Sequence, residues 1–261
     1  MRRHLSNHPF GFVPWVWLLF LEAAVLAANP SLVPNNTPVV NPEEKGAEIA
    51  RRLRSAVPSK EPGCDLVRTG KLEILTRDDK ITLVPFQSLV TTTPTNWSIS
   101  YVGFPAEKSS ETLSIIHAPG LSNRYTLTVS NRSVELCTAD LVRPFAGTDF
   151  WACDLGLDFL HWPQQRVPRH EFRSSLSCWV LESTTPSPVP AGYARVLSWV
   201  TVEYGEALIH AEAYDKAGKL LKVFSIGSVI KVNGQRELKS MKMRDARTGR
   251  ETELKFDLPE R

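Results

Sequence analysis

Cysteine is scarce in this chain and nowhere arranged as C-x-x-C. Cys64, Cys137, Cys153 and Cys178 stand well separated. That excludes a thioredoxin-like redox pair and a zinc-ribbon ligand pair. The catalytic motifs with a readable mechanism are missing too. No G-x-S-x-G elbow, glycine-rich phosphate loop or H-E-x-x-H occurs, and His170-Glu171 lacks the second histidine. Charge of one sign is also lacking. The net charge is +3 with basic and acidic residues interleaved, whereas a nucleic-acid binder carries a strongly basic patch or stripe. Neither a nucleic-acid partner nor a cofactor is expected. Composition does not break and no repeat appears within residues 70–258. At 42% hydrophobic and 23% charged over 261 residues, the chain is long enough for one large core or two small ones.

What is present begins at the N-terminus. Arg2, Arg3 and His4 precede an apolar run over 12–26 that ends in the small residues Ala27-Ala28. This is the layout of a signal peptide, 1–27, cut after Ala27. Glu22 lies inside the run, and an uncleaved anchor facing the periplasm is the alternative, although the run is shorter than the ~20 residues a span needs. No cysteine follows the cut, so no acyl anchor is expected there. Export permits disulfides. The four cysteines allow three pairings, among which the sequence does not choose, and a structural bridge is expected over a reactive thiol.

Residues 28–41 read as a proline-rich linker, with Pro30, Pro34 and Pro38 four apart ahead of Pro42. A single domain is expected over 42–261. It opens on an amphipathic helix with Asn41 as N-cap, Pro42 at the first helical position, and Glu43 and Glu44 at the positive end of the dipole. Ala47, Ala50, Leu53 and Val57 fall on one side, with Ile49 and Ala56 alongside, and Val57-Pro58 ends it. From Gly70 onward the period is two: Leu72 with Ile74, Trp97 with Ile99 and Tyr101, Leu113 with Ile115 and His117, Tyr125 with Leu127 and Val129. The last third is clearest. Runs over 194–204, 208–214, 219–232, 238–244 and 251–258 are separated by Tyr204-Gly205-Glu206, Asp215-Lys216-Ala217-Gly218, Asn233-Gly234 and Thr248-Gly249. Asn-Gly and Asp-x-x-Gly are hairpin signals because their turns need positive φ. In the final run Thr252, Leu254, Phe256 and Leu258 share a face opposite Glu251, Glu253, Lys255 and Asp257. The expectation is an antiparallel meander with one buried and one wet face.

One stretch interrupts the alternation. Residues 147–165 crowd Phe150, Trp151, Leu155, Leu157, Phe159, Leu160 and Trp162 together. A short helix is expected, capped by Thr148 or Asp149, ending before Pro163 and lying across the open end of the sheet. On such a helix Asp154, Asp158 and His161 would project from one side, the way metal ligands or an acid/base pair do. Their plainer role is the wet edge of an apolar helix, and a secreted metal-dependent hydrolase is the minor alternative they allow. His117 and His210 lie within strands and read as packed or surface histidines.

Four blocks together, GTDFWACDLGL, SCWVLES, AEAYDKAGKLLKVFSI and VNGQRELKSMKMRDARTGRETEL, resemble in order and spacing the LolA-like outer-membrane lipoprotein-sorting family. The resemblance extends from about Asn41 onward and is densest in the C-terminal half. It implies a mainly β (α+β) fold, an incomplete antiparallel β-barrel covered by a few α-helices. It also implies an apolar cavity that carries lipoprotein or lipid acyl chains noncovalently, without bond-breaking, together with envelope transport partners. Burial of a ~16-carbon chain is worth on the order of 10 kcal/mol, at ~0.8 kcal/mol per CH₂. The helices over 41–57 and 150–159 are the candidate lid, the latter through Phe150, Leu155, Phe159 and Leu160. Trp179, Leu181, Met241, Met243 and Phe256 are the candidate cavity wall. A non-catalytic envelope module, with the same barrel filled by its own side chains, is the alternative.

Overall fold

Alternating apolar and polar residues make strands wherever one face can be buried. The computed structural model describes residues 37–56, 65–106, 109–202, 207–232 and 235–258. The strands are β1 (Thr37–Pro38), β2 (Leu66–Leu75), β3 (Ile81–Thr92), β4 (Trp97–Ala106), β5 (Ser109–His117), β6 (Arg124–Val129), β7 (Arg132–Glu135), β8 (Gln164–Arg173), β9 (Leu176–Thr184), β10 (Arg195–Thr201), β11 (Leu208–Tyr214), β12 (Leu220–Val232), β13 (Gln235–Asp245) and β14 (Glu251–Phe256). Helix α1 (Pro42–Ser55) precedes β2, and the single turn α2 (Ala152–Leu155) lies between β7 and β8. Among the described residues no helix is long and apolar enough to cross a membrane.

The fourteen strands form one antiparallel sheet in the order β1-β8-β9-β10-β11-β12-β13-β14-β2-β3-β4-β5-β6-β7. Two meanders, β2 to β7 and β8 to β14, join where β14 pairs with β2 from Glu251↔Leu75 to Phe256↔Gly70. The end strands β1 and β7 do not pair with each other, so the barrel is incomplete. The expected alternation holds in β14, where Thr252, Leu254 and Phe256 are buried. It holds upstream as well, at Trp97, Ile99 and Tyr101 and at Leu113 and Ile115. The Asp215 turn forms as its residues demand: Asp215 Oδ1 accepts from the amides of Ala217 (2.8 Å) and Lys219 (2.9 Å), and Gly218 takes φ 77°. Gly249, at φ 72°, closes the β13–β14 hairpin in the same way.

Helix α1 differs in detail from the expectation. Asn41 is left-handed (φ 54°) and makes no side-chain cap; its amide instead reaches Glu44 Oε2 at 3.2 Å. The buried positions are Gly46, Ile49 and Ala50, while Ala47 is exposed. The face is rotated because Gly46 touches strand backbone. A Cβ there would lie 2.4 Å from Arg166 Cα, so only glycine lets the helix axis come this close to β8. The expected disulfide is absent among the described cysteines, since no bridge joins any two of Cys137, Cys153 and Cys178. Cys64, the signal segment and the Tyr204-Gly205-Glu206 and Asn233-Gly234 joints lie outside the described residues.

Candidate functional site: the crossover segment on the concave face

Topology makes the site. β7 is one end of the sheet, and β8, with only the two residues of β1 beyond it, is the other. The link between them, residues 136–163, must therefore run from edge to edge across the concave face. It carries Leu141, Phe145, Phe150, Trp151, Leu155, Phe159 and Leu160 into one core with the inner residues of the strands.

The expected helix over 150–159 is not continuous. Ala152–Leu155 forms one α-turn and Asp158–His161 one 3-10 turn, separated at Leu157, which is left-handed at φ 51°. Thr148 and Asp149 belong to a tight loop before them, turned by Ala146 (φ 47°) and Gly147 (φ 73°), and the helical turn is instead closed by Trp151 N–H donating to Asp154 Oδ2 at 2.7 Å. The break has a steric cause. A Cβ at position 156 would lie 2.2 Å from the Tyr125 hydroxyl, so the chain turns where the glycine touches that ring.

A buried irregular segment must find partners for its backbone polar groups. Here side chains of the sheet and α1 supply them. Arg250 donates to the Gly147 carbonyl at 3.0 Å, Lys222 to that of Asp149, Tyr101 to that of Leu155 at 3.5 Å, and Asn123 to that of Gly156 at 2.7 Å. Gln165 donates to the Phe159 (2.9 Å) and Trp162 (3.0 Å) carbonyls, and Arg54 to that of Leu160 at 2.7 Å. In the other direction the Ala146 amide donates to Glu111 Oε1 and the Asp149 amide to Thr252 Oγ1, both at 3.0 Å.

At the centre lies a charged knot. Lys222 is 2% exposed, with Asp154 Oδ2 at 3.4 Å and the Trp151 ring centre at 3.7 Å. Tyr193 donates to Asp154 Oδ1 at 2.9 Å and stacks on Trp151 with ring centres 4.9 Å apart. Arg250 pairs with Asp149 Oδ1 at 2.9 Å. Burial lowers the Lys222 pKa, against the pull of Asp154 that favours its charge. Burial, then Asp154, pushes the Tyr193 hydroxyl well up, and the same two causes push the Cys153 thiol well up. Cys153 is accordingly a protonated, inert thiol.

All nine predicted lid and wall residues meet in this one cluster. Phe150, Leu155, Phe159, Leu160, Leu181, Met241, Met243 and Phe256 are buried in it, and Trp179 packs half-buried against it. They enclose little space. One apolar cavity of about 20 Å³ lies between Phe159, Met243, Phe224 and Leu208, and another of about 30 Å³ beside Leu53, Leu155 and Leu160. Each holds about one water, far below the ~300 Å³ at which ligand pockets begin. Between these described residues the expected hollow is occupied by the crossover segment itself. Phe150, Trp179, Leu181, Met241 and Phe256 line neither cavity.

The polar trio does not converge. Asp154 is committed to Trp151, Tyr193 and Lys222, Asp158 takes the Tyr125 hydroxyl at 3.5 Å, and His161 opens on a separate cleft at the rim. Because Leu157 breaks the helix, their spacing no longer puts them on one side. Among the described residues no three His, Cys, Asp or Glu side chains are grouped to hold a metal. Sequence reasoning missed Lys222, Tyr193, Thr252 and Arg250. A signal for Lys222 existed: it is in phase with Phe224 and Ile226, so its strand carries a lysine on the apolar side.

An open antiparallel half-barrel whose concave side is filled by its own edge-to-edge connection defines the class of protein. Residues 98–260, more than half of the chain, match a family profile with the description "Uncharacterized protein", and the chain belongs to that family. No protein of curated function is a significant sequence match. Three solved structures share the fold. A DUF1329 family protein from Desulfovibrio piger has TM-score 0.66 at 15% identity, covering 84% of this chain and 92% of its own. A domain named for outer-membrane lipoprotein sorting, from Vibrio parahaemolyticus, has TM-score 0.66 at 18% identity, covering 83% and 92%. A LolA-superfamily protein from Nitrosomonas europaea has TM-score 0.55 at 18% identity, covering 84% and 96%. At these identities the likeness is one of fold.

Proposed function

We propose that the protein is a non-catalytic carrier of lipid or lipoprotein acyl chains in the bacterial periplasm, with the crossover segment and α1 as its lid. The observation that carries this reading is how the segment is attached. It is greasy beneath, and it is fastened to the sheet by side chains reaching its backbone rather than by ladder pairing. Such a segment can leave the concave face without unzipping a strand. Each side-chain tie contributes about 0.5–1.5 kcal/mol net, while an incoming ~16-carbon chain gains on the order of 10 kcal/mol. The half-barrel likeness to a domain named for lipoprotein sorting supports the same direction. So does the signal-peptide layout of residues 1–27.

A second reading has its own support. The 20 and 30 Å³ cavities suit a barrel filled by its own side chains, serving as a structural or interaction module of the envelope. Native mass spectrometry of protein purified from its own envelope separates the two: co-purifying lipid is expected of a carrier, and its absence favours the filled module. Phe159→Asp, with sheet content checked by circular dichroism, is expected to weaken binding of a fluorescent fatty acid. Unchanged affinity removes the segment from the site.

A further inference from the structure

A cleft of about 440 Å³ opens at the rim, between the end of α1, the β5–β6 connection and the 3-10 turn Asp158–His161. Arg51, Arg54, His117, Asn123 and His161 line it, and among the described residues no carboxylate does. Arg51 and Arg54 lie near enough to work against each other's charge, and Arg54 likewise disfavours a proton on His161. The two arginines thus have no acidic partner among the described lining residues, and Glu48, the acidic group acting with Arg51, lies outside it. Two further groups are buried there with no hydrogen-bond partner, His117 Nε2 and Asn123 Oδ1. The Asn123 side chain lies close enough to favour a proton on His117. The His117 ring is held flat on Trp97, ring centres 3.7 Å apart and planes 14° apart, so it is fixed in place. The Asn123 amide nitrogen is already committed to the Gly156 carbonyl, which leaves its oxygen open.

The cleft also adjoins a small internal cavity. Arg54, His117 and His161 line both it and the 30 Å³ apolar cavity, whose other walls include Trp97, Leu155 and Leu160 of the strands and the lid. A basic cleft beside a mostly apolar cavity has the polarity of one amphiphile: an oxyanion outside, a hydrocarbon tail inward. We infer that this cleft binds the phosphate or carboxylate head group of an acyl amphiphile, with Arg51 and Arg54 neutralising it and His117 and Asn123 orienting it. The inference rests on the carrier reading and adds to it the charge class of the cargo. It also fixes the end of the barrel where cargo enters.

Three probes test it on the full-length protein by calorimetry and by Trp fluorescence: dodecyl phosphate, dodecanol and inorganic phosphate. Dodecyl phosphate is expected to bind at least about tenfold tighter than dodecanol, the discrimination one well-placed charge interaction supplies. Arg51→Glu, at an exposed position, is expected to remove that preference, and His117→Gln to reduce it. Equal binding of dodecyl phosphate and dodecanol overturns the head-group site and leaves the carrier standing. Inorganic phosphate binding as tightly as dodecyl phosphate overturns it in favour of a plain oxyanion site. Failure of all three to bind overturns both readings.

Discussion

Lys222 Nζ sits 3.7 Å from the centre of the Trp151 ring and 3.4 Å from Asp154 Oδ2, on a strand position otherwise in phase with the apolar core. The pair joins the floor of the half-barrel to the segment lying on it. Removing one member of a buried pair strands the other, at about 3–5 kcal/mol. Lys222→Met is expected to lose that much in urea denaturation. The Lys222→Met/Asp154→Asn double variant is expected to lose less than the two single losses added together.

Thr252 works in both directions at once, accepting from the Asp149 amide at 3.0 Å and donating to Asp149 Oδ2 at 2.7 Å. Thr252→Val keeps the shape and deletes both bonds. A loss of about 1–3 kcal/mol is expected. Hydrogen exchange should quicken over residues 145–160 while strands β3 to β5 keep their protection. Uniform acceleration across the sheet would show that the segment does not open by itself.

Gly46→Ala sets helix propensity against packing. Alanine favours a helix interior by about 1 kcal/mol over glycine. Its methyl would meet Arg166 backbone at 2.4 Å, which cannot swing aside. Net destabilisation of about 1–3 kcal/mol is expected, the range for an overfilled contact. Binding of a hydrophobic dye should rise as α1 lifts from β8.

Histidines give the fold an acid limit. Burial, with some repulsion from His161, holds His117 at about 3, and burial, then Arg54, holds His161 at about 4, below their ordinary 6.5. His170 and His210 are lowered by burial as well. In each case the unfolded chain binds the proton more readily, so stability is full above pH 6.5 and falls as pH drops toward the folded values. His117 alone accounts for about 2 kcal/mol between pH 6.5 and 4.5. The lowered carboxylates, Glu171, Glu212 and Asp245, begin to lose their contribution only below their ordinary values of 4.5 and 3.8. Denaturation midpoints across pH 4.5–7.5 should therefore slope downward with acid. His117→Gln should flatten part of the slope.

Much of the sheet was legible because strand periodicity is local. Thr252, Leu254 and Phe256 announce their face by spacing alone, and Asp215 and Gly218 announce their turn by the φ they need. The apolar residues of the crossover segment were legible as a cluster because large apolar groups must go somewhere dry. Their conformation was not, since the Gly156–Leu157 break depends on Tyr125, which is distant in sequence. Ala47 and Gly46 could not be ranked from helical spacing, because the deciding contact is with the Arg166 backbone. The basic cleft was invisible for the same reason. Arg54, His117 and His161 become neighbours only once α1, β5 and the 3-10 turn meet at one rim.

The lack of a bond between β1 and β7 has a mechanical consequence. In a closed barrel, strand number and stagger set the bore, and widening it means tearing a seam. A trough whose two margins are not joined to each other among the described residues can flatten like an unrolled cuff, every ladder bond intact. Its girth is thus set by whatever lies in it, and exchanging the native contents for a bulkier guest demands curvature rather than breakage.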